Sequence, residues 1–178
     1  TRTARSAKLN GHIPEPFVEI HPLDAEKWSV EQGALAQVDS LWGTLLAHVK
    51  ITDTQRVGSI FVPMHWNKQT ASLSRVDAVV NPVVDPISGQ PEFKHTPVKI
   101  KTYQAVWHGF ILSRTRLTLP DTHYYVSIKG EQFWRYELAG DATIDNYSAW
   151  AKQQIGQAGE WLEFADQTAQ RFRAGMIK

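Results

Sequence analysis

Short segments in which apolar and polar residues alternate recur along this chain, and they constrain its fold more than any other feature. The clearest of them covers residues 45–51. Successive side chains of a β-strand point to opposite faces, so this segment predicts a strand with two distinct faces. One face would carry Leu45, Ala47, Val49 and Ile51, and the other would carry Leu46, His48 and Lys50.

The rest of the chain repeats this organisation. Further strands are predicted where β-type residues lie between turn residues, at 17–20, 34–41, 59–63, 97–102, 106–112, 123–129 and 133–138. Residues 161–164 and 171–173 flank a polar turn and predict a hairpin, whereas 67–75 reads as a polar loop. Regular short strands with turn punctuation indicate a mainly β protein, either a barrel or a sandwich.

Only two short helices are expected. Pro22 suits the first position of a helix over residues 22–28, because the missing N–H of proline is not needed there. Asp145 is placed to cap a second helix, and Gly156 is placed to end it.

Composition excludes several classes of protein. The chain has 178 residues, a net charge of +1 and no Cys. It therefore offers no disulfide, no iron–sulfur or thiolate zinc ligation and no Cys nucleophile. Neither the charge nor the longest apolar run predicts a nucleic-acid partner or a membrane span. The first residue is Thr1 and no signal segment follows, so we expect both ends to be cuts inside a longer chain.

The sequence carries no motif for catalysis or metal binding. Its seven His residues do not form a His-x-His or an i, i+4 pair. A nucleophile elbow, a Walker loop and a dinucleotide Gly motif are also missing from the sequence. A Ser-His-Asp triad stays open, because its members need not be close in sequence. We predict no catalytic residue and no metal ligand in this chain.

Three segments instead suit ligand binding, and the first is at the start of the chain. It combines guanidinium and hydroxyl groups in Arg2, Thr3, Arg5 and Ser6. Arg offers a planar fork of donors that matches phosphate oxygens, so these residues are candidates for a phosphate contact. The alternative is a solvated tail.

The second segment is His65, Trp66 and Asn67, which follow an apolar strand. The end of a strand places polar and aromatic groups at the mouth of a barrel, where ligands bind. Trp66 could stack on a ring and Asn67 could hydrogen-bond to one. The alternative is a strand end with a half-buried Trp and a surface His.

The third segment, residues 81–97, is rich in Pro and Gly. A backbone fixed by these residues would present side chains at little further entropic cost. The candidates for ligand contact are Gln90, Phe93, Lys94 and His95. The alternative is a stiff connection between two strands.

Taken together and in this order, the segments resemble the C-terminal molybdopterin dinucleotide-binding domain of the large molybdenum oxidoreductases, which include nitrate reductases and formate dehydrogenases. The matching motifs are Thr-Arg-Thr-Ala-Arg-Ser-Ala at 1–7, Pro-Glu-Pro-Phe at 14–17, Val-Pro-Met-His-Trp at 62–66, Asn-Pro at 81–82 and Phe-Lys-His-Thr-Pro at 93–97. Residues 107–114, 133–140 and 159–163 resemble assimilatory nitrate reductases in particular.

This resemblance implies a fold and a cofactor. The fold would be a six-stranded double-psi β-barrel domain over residues 1–101, with a smaller β-rich extension over 102–178. The cofactor would be Mo-bis(molybdopterin guanine dinucleotide), abbreviated Mo-bis-MGD. By the same resemblance, Arg2, Thr3, Arg5 and Ser6 would contact a pyrophosphate, His65, Trp66 and Asn67 would line the cofactor, and Gln90, Phe93, Lys94 and His95 would lie near a pterin.

The resemblance also implies a parent enzyme that reduces nitrate to nitrite in the cytoplasm. The ligands of its metal and of its iron–sulfur cluster would lie outside this chain, so the isolated fragment is expected to be inactive. Its partners would be the remainder of the catalytic subunit and an electron-donor protein. Asp77 departs from the family pattern, which often has Asn there, and an ionised acid cannot donate a hydrogen bond as an amide does.

Two other functions remain open. One is a free-standing double-psi barrel that binds another ligand. The other is a protein-interaction module, which exposed Trp side chains in the second half would favour and buried ones would disfavour. The residues concerned are Trp107, Trp134, Trp150 and Trp161.

Overall fold

The computed structural model describes residues 6, 8, 11–120, 123–156 and 158–177, and in this part of the chain the fold is mainly β. The strands are β1 (Phe17–Ile20), β2 (Leu35–Asp39), β3 (Thr44–Ile51), β4 (Ile60–Phe61), β5 (Ala71–Ser72), β6 (Lys99–Thr102), β7 (Trp107–Ser113), β8 (Tyr124–Lys129), β9 (Trp134–Gly140), β10 (Glu160–Asp166) and β11 (Arg171–Ile177). The helices are α1 (Pro22–Trp28) and α2 (Tyr147–Ile155), with a 3₁₀ turn at Val76–Ala78. The predicted mainly β class is confirmed.

Five strands of the first half form one sheet, in the order β4-β1-β3-β2-β6. Strand β1 runs parallel to β3, whereas the other neighbours are antiparallel. The parallel pair requires a crossover, and the chain makes it through α1 and β2. The sheet curves as a half-barrel around a first core, which includes Val18, Ile20, Val38, Leu45, Ala47 and Val49.

Strand β3 has the two faces that its alternation predicts. Leu45, Ala47 and Val49 are buried in the first core, and Ile51 packs against it. On the opposite face, Leu46 is buried in a second core. This strand is therefore covered on both sides along part of its length.

The second core joins the first sheet to a second one. The second sheet has the order β5-β8-β9-β7 and is antiparallel throughout. From this sheet, Tyr124, Val126 and Ala139 pack against Leu35 and Leu46 of the first. A third core, which includes Ile111, Tyr136 and Leu138, lies under Trp107, Trp134 and Trp150.

Strand β5 was not predicted, because residues 67–75 read as a polar loop. Long-range hydrogen bonds create this strand: Ser127 N donates to Thr70 O at 2.7 Å, and Tyr125 N donates to Ser72 Oγ at 2.8 Å. A segment from the first half thus forms the edge of the second-half sheet. The domain boundary at 101/102 stays a prediction.

The helices agree with prediction except at one cap. Helix α1 spans the predicted residues, with Pro22 in its first turn. In α2 it is Asn146, and not Asp145, that caps the N-terminus, since Asn146 Oδ1 accepts from Ala149 N at 2.9 Å. Gly156 ends α2 as predicted. Among the described helices, none is both long and apolar enough to cross a membrane.

The predicted C-terminal hairpin is confirmed as β10 paired with β11. Helix α2 lies on one face, where Lys152 pairs with Glu163 at 2.6 Å and Tyr147 stacks on Phe172. The other face leaves Leu162, Phe164 and Ile177 exposed.

Candidate functional site

The segment that sequence reasoning placed between Asn81 and Pro97 is an ordered loop, which we call the arm. Its hydrogen bonds close on the arm itself. Asp85 Oδ1 accepts from Ile87 N, Ser88 N and Ser88 Oγ at 3.0, 2.7 and 2.9 Å. The backbone and hydroxyl bonds of Ser88, followed by the Ile87 bond, hold the pKa of Asp85 below its usual range. The turn at the tip of the arm is therefore fixed locally, as an Asx-type turn.

Backbone bonds close the arm behind this turn. Asp85 N donates to Gln90 O at 2.9 Å, and Glu92 N donates to Val83 O at 3.2 Å. Gly89 takes φ +68°, a left-handed conformation that glycine adopts without strain. At the base, Asn81 N donates to Thr96 Oγ1 at 3.4 Å. The arm is thus shaped by its own backbone, although residues 82–90 are all exposed.

The four candidate side chains of the arm, Gln90, Phe93, Lys94 and His95, all face solvent. Glu92 lies among them, and its Oε1 accepts from Lys94 N at 2.9 Å and faces His95 Nδ1 at 3.6 Å. Within the described residues, the Lys94 ammonium has no carboxylate in ion-pair range. An ammonium without an ion-pair partner, an amide, an imidazole and a half-exposed phenyl ring therefore lie on one loop that is held by its own hydrogen bonds.

The strand-end candidates differ from one another in exposure. His65 is exposed and meets the Trp66 ring nearly edge-on, with the ring centroids 6.1 Å apart. Trp66 is half-buried and packs against the second core. Asn67 shapes the turn into β5, because its Oδ1 accepts from Gln69 N at 2.9 Å and its carbonyl accepts from Thr70 N. Part of Trp66 is therefore used for packing between the sheets.

The first candidate segment lies mostly outside the described residues. Arg2, Thr3 and Arg5 are not described, and Ser6 is half-buried. The hydrogen bonds of the arm lie within the arm. In the strand-end segment, Trp66 packs against the second core and Asn67 bonds within the turn before β5. The grouping of all three segments around one ligand stays a prediction. Asp77 lies in the 3₁₀ turn, with its Oδ2 3.4 Å from Arg75 Nη1.

A cluster of charged groups that sequence reasoning missed lies where the two sheets meet. Its centre is His48 on β3, whose Nε2 is 3.2 Å from Glu15 Oε2 and whose Nδ1 is 3.0 Å from Gly33 O. Glu137 on β9, which forms an ion pair with Arg135, contributes a second carboxylate. These residues come from segments that are far apart in the sequence. The sequence feature that points to the cluster is therefore the position of His48 on the second face of β3.

The surroundings shift the pKa values of this cluster. The hydrogen bond that His48 Nε2 donates to the Glu15 carboxylate raises the pKa of His48 in spite of burial, and the same bond lowers the pKa of Glu15. Burial raises the pKa of Glu137. Tyr124, which is 1% exposed, also has a raised pKa, mainly through burial. A pocket of about 270 Å³ adjoins the cluster and is lined by His48, His108, Phe110, Tyr124, Glu137 and Leu138 among others.

By its fold, the chain is a mainly β domain that presents a polar, internally hydrogen-bonded loop at its surface. Among the described residues, no group of His, Asp and Glu side chains is arranged to hold a metal ion. The family model described as "Molydopterin dinucleotide binding domain" matches residues 1–97, which is more than half of the chain. The chain belongs to this family.

Curated relatives agree with the family match. A nitrate reductase of Klebsiella oxytoca is 41% identical over 155 residues, which is 86% of this chain and 18% of the relative. The assimilatory nitrate reductase catalytic subunit of Bacillus subtilis is 31% identical over 99 residues, 56% of this chain and 13% of the relative. The F420-dependent formate dehydrogenase 1 subunit alpha of Methanococcus maripaludis is 34% identical over 101 residues, 57% of this chain and 14% of the relative. The chain thus spans less than a fifth of the length of each.

A comparison of folds finds the acetylene hydratase from Pelobacter acetylenicus, with a TM-score of 0.48 and 21% sequence identity. The similarity covers 53% of this chain and 15% of that one.

Proposed function

We propose that this chain is the part of a molybdenum nitrate reductase that grips Mo-bis-MGD. The observation that carries the proposal is the arm: it lies inside the residues that match the family, and it presents polar side chains on a backbone fixed by its own hydrogen bonds. A preorganised loop of this kind binds without a further cost of ordering its backbone.

The side chains of the arm fit the chemistry of a pterin dinucleotide. The exposed ammonium of Lys94 is a point charge suited to phosphate, and Gln90 and His95 supply hydrogen-bond donors and acceptors for a heterocycle. Phe93, which is 44% exposed, offers a ring face. Of the strand end, His65 and the exposed rim of Trp66 would complete the lining.

The N-terminal residues Arg2, Thr3, Arg5 and Ser6 would hold a pyrophosphate. The support is the chemistry of their side chains, which matches phosphate oxygens, and their place inside the matched residues 1–97.

When bound, the cofactor supplies the molybdenum centre for the two-electron reduction of nitrate to nitrite. The residues of this chain would position the cofactor and would not themselves react, and we infer that the chain alone is inactive. The 41% identity to a nitrate reductase supports this substrate. The likeness to an assimilatory subunit supports a cytoplasmic location. We also infer that the first sheet closes into a double-psi barrel, which the β1–β3 crossover supports.

Contacts with the remainder of a catalytic subunit, or with an electron-donor protein, form a second part of the proposal. The supporting observation is the uncovered face of the β10–β11 hairpin, with Leu162, Phe164 and Ile177 each more than half exposed. A two-stranded sheet is marginally stable alone, so a covering surface would stabilise it.

In contrast, Trp107, Trp134 and Trp150 pack against the third core, which favours an ordinary structural role for them.

The direct test of the arm is Lys94→Ala in the native, full-length enzyme, with Lys99→Ala as the matched control. Both lysines are exposed, but Lys99 lies on β6 of the sheet and outside the arm. We expect Lys94→Ala to lower the molybdenum and guanine nucleotide bound per chain, because a charged hydrogen bond contributes about 1.5–3 kcal/mol. Equal cofactor content in both variants would remove Lys94 from the site.

A further inference from the structure

His48 is held between two groups that can only accept hydrogen bonds. Its Nδ1 is 3.0 Å from the carbonyl oxygen of Gly33, and its Nε2 is 3.2 Å from a carboxylate oxygen of Glu15. Neutral imidazole has a single N–H and can donate only one of these two bonds. Both bonds form together when the ring is the doubly protonated imidazolium.

His48 lies between the two sheets, so the charge on its ring affects how the sheets pack together. In the first sheet it lies opposite Phe17 of β1 and Leu35 of β2. From the second sheet, the ring of Tyr124 meets it edge-on, with centroids 6.0 Å apart. The imidazolium therefore lies under the second sheet and holds the segment before β1 and the turn at Gly33.

Within the part of the chain that the structure describes, few other charged groups lie around His48. Glu137 of β9 acts on it through its negative charge and is itself paired with Arg135. His108 of β7 lines the same pocket. On β3, Lys50 lies on the same face but is paired with Glu19 at 2.8 Å. If His48 is neutral, Arg135 is the positive charge that still acts on both carboxylates, Glu15 and Glu137.

We propose that His48 is a proton-dependent clasp between the two sheets. As an imidazolium it joins Glu15 and the Gly33 turn beneath Tyr124. On losing its proton it releases one of these two bonds and leaves Glu15 and Glu137 repelling each other across the junction, so the second sheet opens more often. This role concerns the chain itself and does not depend on the cofactor.

The direction of the pH effect follows from the pKa of His48, which Glu15 raises above the ordinary value. A folded state that binds the proton more tightly is stabilised fully below the unfolded pKa of about 6.5 and loses this stability as the pH rises through the folded pKa. Glu15, whose pKa is lowered, needs a pH above its unfolded value of 4.5 to contribute fully. The clasp therefore stabilises the folded state most between pH 4.5, the unfolded pKa of Glu15, and about pH 6.5, the unfolded pKa of His48.

The test uses the native, full-length protein and measures one residue and one sheet in it. The imidazole of His48 is titrated by NMR, and hydrogen exchange of the amides in 124–140 is followed over the same pH range, with rates corrected for intrinsic exchange. We expect His48 to titrate above about 6.5, and the opening of β8 and β9 to increase about tenfold for each unit by which its pKa exceeds that value. A His48 pKa at or below 6.5 would overturn the proposal.

Variants separate a clasp from simple packing. His48→Gln should remove the pH dependence of exchange in this window, whereas His108→Gln, which changes a His on the same pocket, should keep the wild-type profile. An unchanged profile in His48→Gln contradicts the clasp. If His48→Gln does not fold, Glu15→Gln is the alternative variant. We expect Glu15→Gln to lower the pKa of His48, and an unaltered pKa would refute the pairing of the two side chains.

Discussion

Leu45 and Leu46 are neighbours on β3, yet they are buried in different cores. Leu45 is 0% exposed and packs inside the half-barrel, whereas Leu46 is 2% exposed and packs against the second sheet. One strand therefore links the two sheets through its opposite faces, which is why an extension of the chain can be attached firmly to the half-barrel.

This arrangement predicts that both leucines are essential to stability. Leu45→Ala and Leu46→Ala should each lower the free energy of unfolding by about 2–5 kcal/mol, because each leaves a cavity in a packed core. Denaturant unfolding followed by Trp fluorescence measures the loss. Leu41, which is 90% exposed, gives the control, and Leu41→Ala should change stability by less than about 0.5 kcal/mol. A Leu46→Ala variant as stable as the control would mean that the two sheets do not pack as described.

Two buried tyrosines should respond oppositely to loss of the hydroxyl. Tyr136 Oη accepts from Leu117 N at 2.7 Å, so Tyr136→Phe leaves that N–H without its partner and should cost about 1–3 kcal/mol. Among the described residues, the Tyr124 hydroxyl has no hydrogen-bond partner. Tyr124→Phe should therefore be neutral or slightly stabilising, since it removes a buried polar group. Thermal unfolding of the two variants measures this difference in stability. Equal losses of stability would show that the Tyr124 hydroxyl has a hydrogen-bond partner.

A matched pair of glycines tests the packing of β7 on β9. A Cβ added at Gly140 would lie 2.5 Å from the ring of Trp107, and this ring is held by a 2.9 Å bond from its Nε1 to Ala142 O. Gly140→Ala should therefore lower stability by about 1–3 kcal/mol. At Gly109 an added Cβ meets nothing within 4 Å, so Gly109→Ala should be tolerated. Comparable Tm values for both variants would contradict the position of Trp107.

Much of the fold follows from local sequence patterns. Alternation predicts β3 with the correct faces, and turn residues delimit the other long strands and the C-terminal hairpin. The order of the arm was also predictable, because Asp85, Pro86 and Gly89 fix a turn through their own backbone and side chains.

What could not be predicted depends on partners far away in the chain. Ala71 and Ser72 show no alternation, and they become a strand because β8 pairs with them. His48 reads as an ordinary residue of a strand face until the fold brings Glu15, Gly33 and Glu137 around it. Asp and Asn are both favoured at the N-cap of a helix. Residue preferences therefore could not tell whether Asp145 or Asn146 caps α2.

The most direct test of the central claim is to purify the native gene product from its host and to measure its mass, molybdenum, iron and guanine nucleotide together. The account predicts a chain several times longer than these 178 residues that carries molybdenum, iron and the dinucleotide. A native chain of about the 20.2 kDa of this sequence, without metal or nucleotide, would contradict it and would indicate a free-standing domain with another ligand.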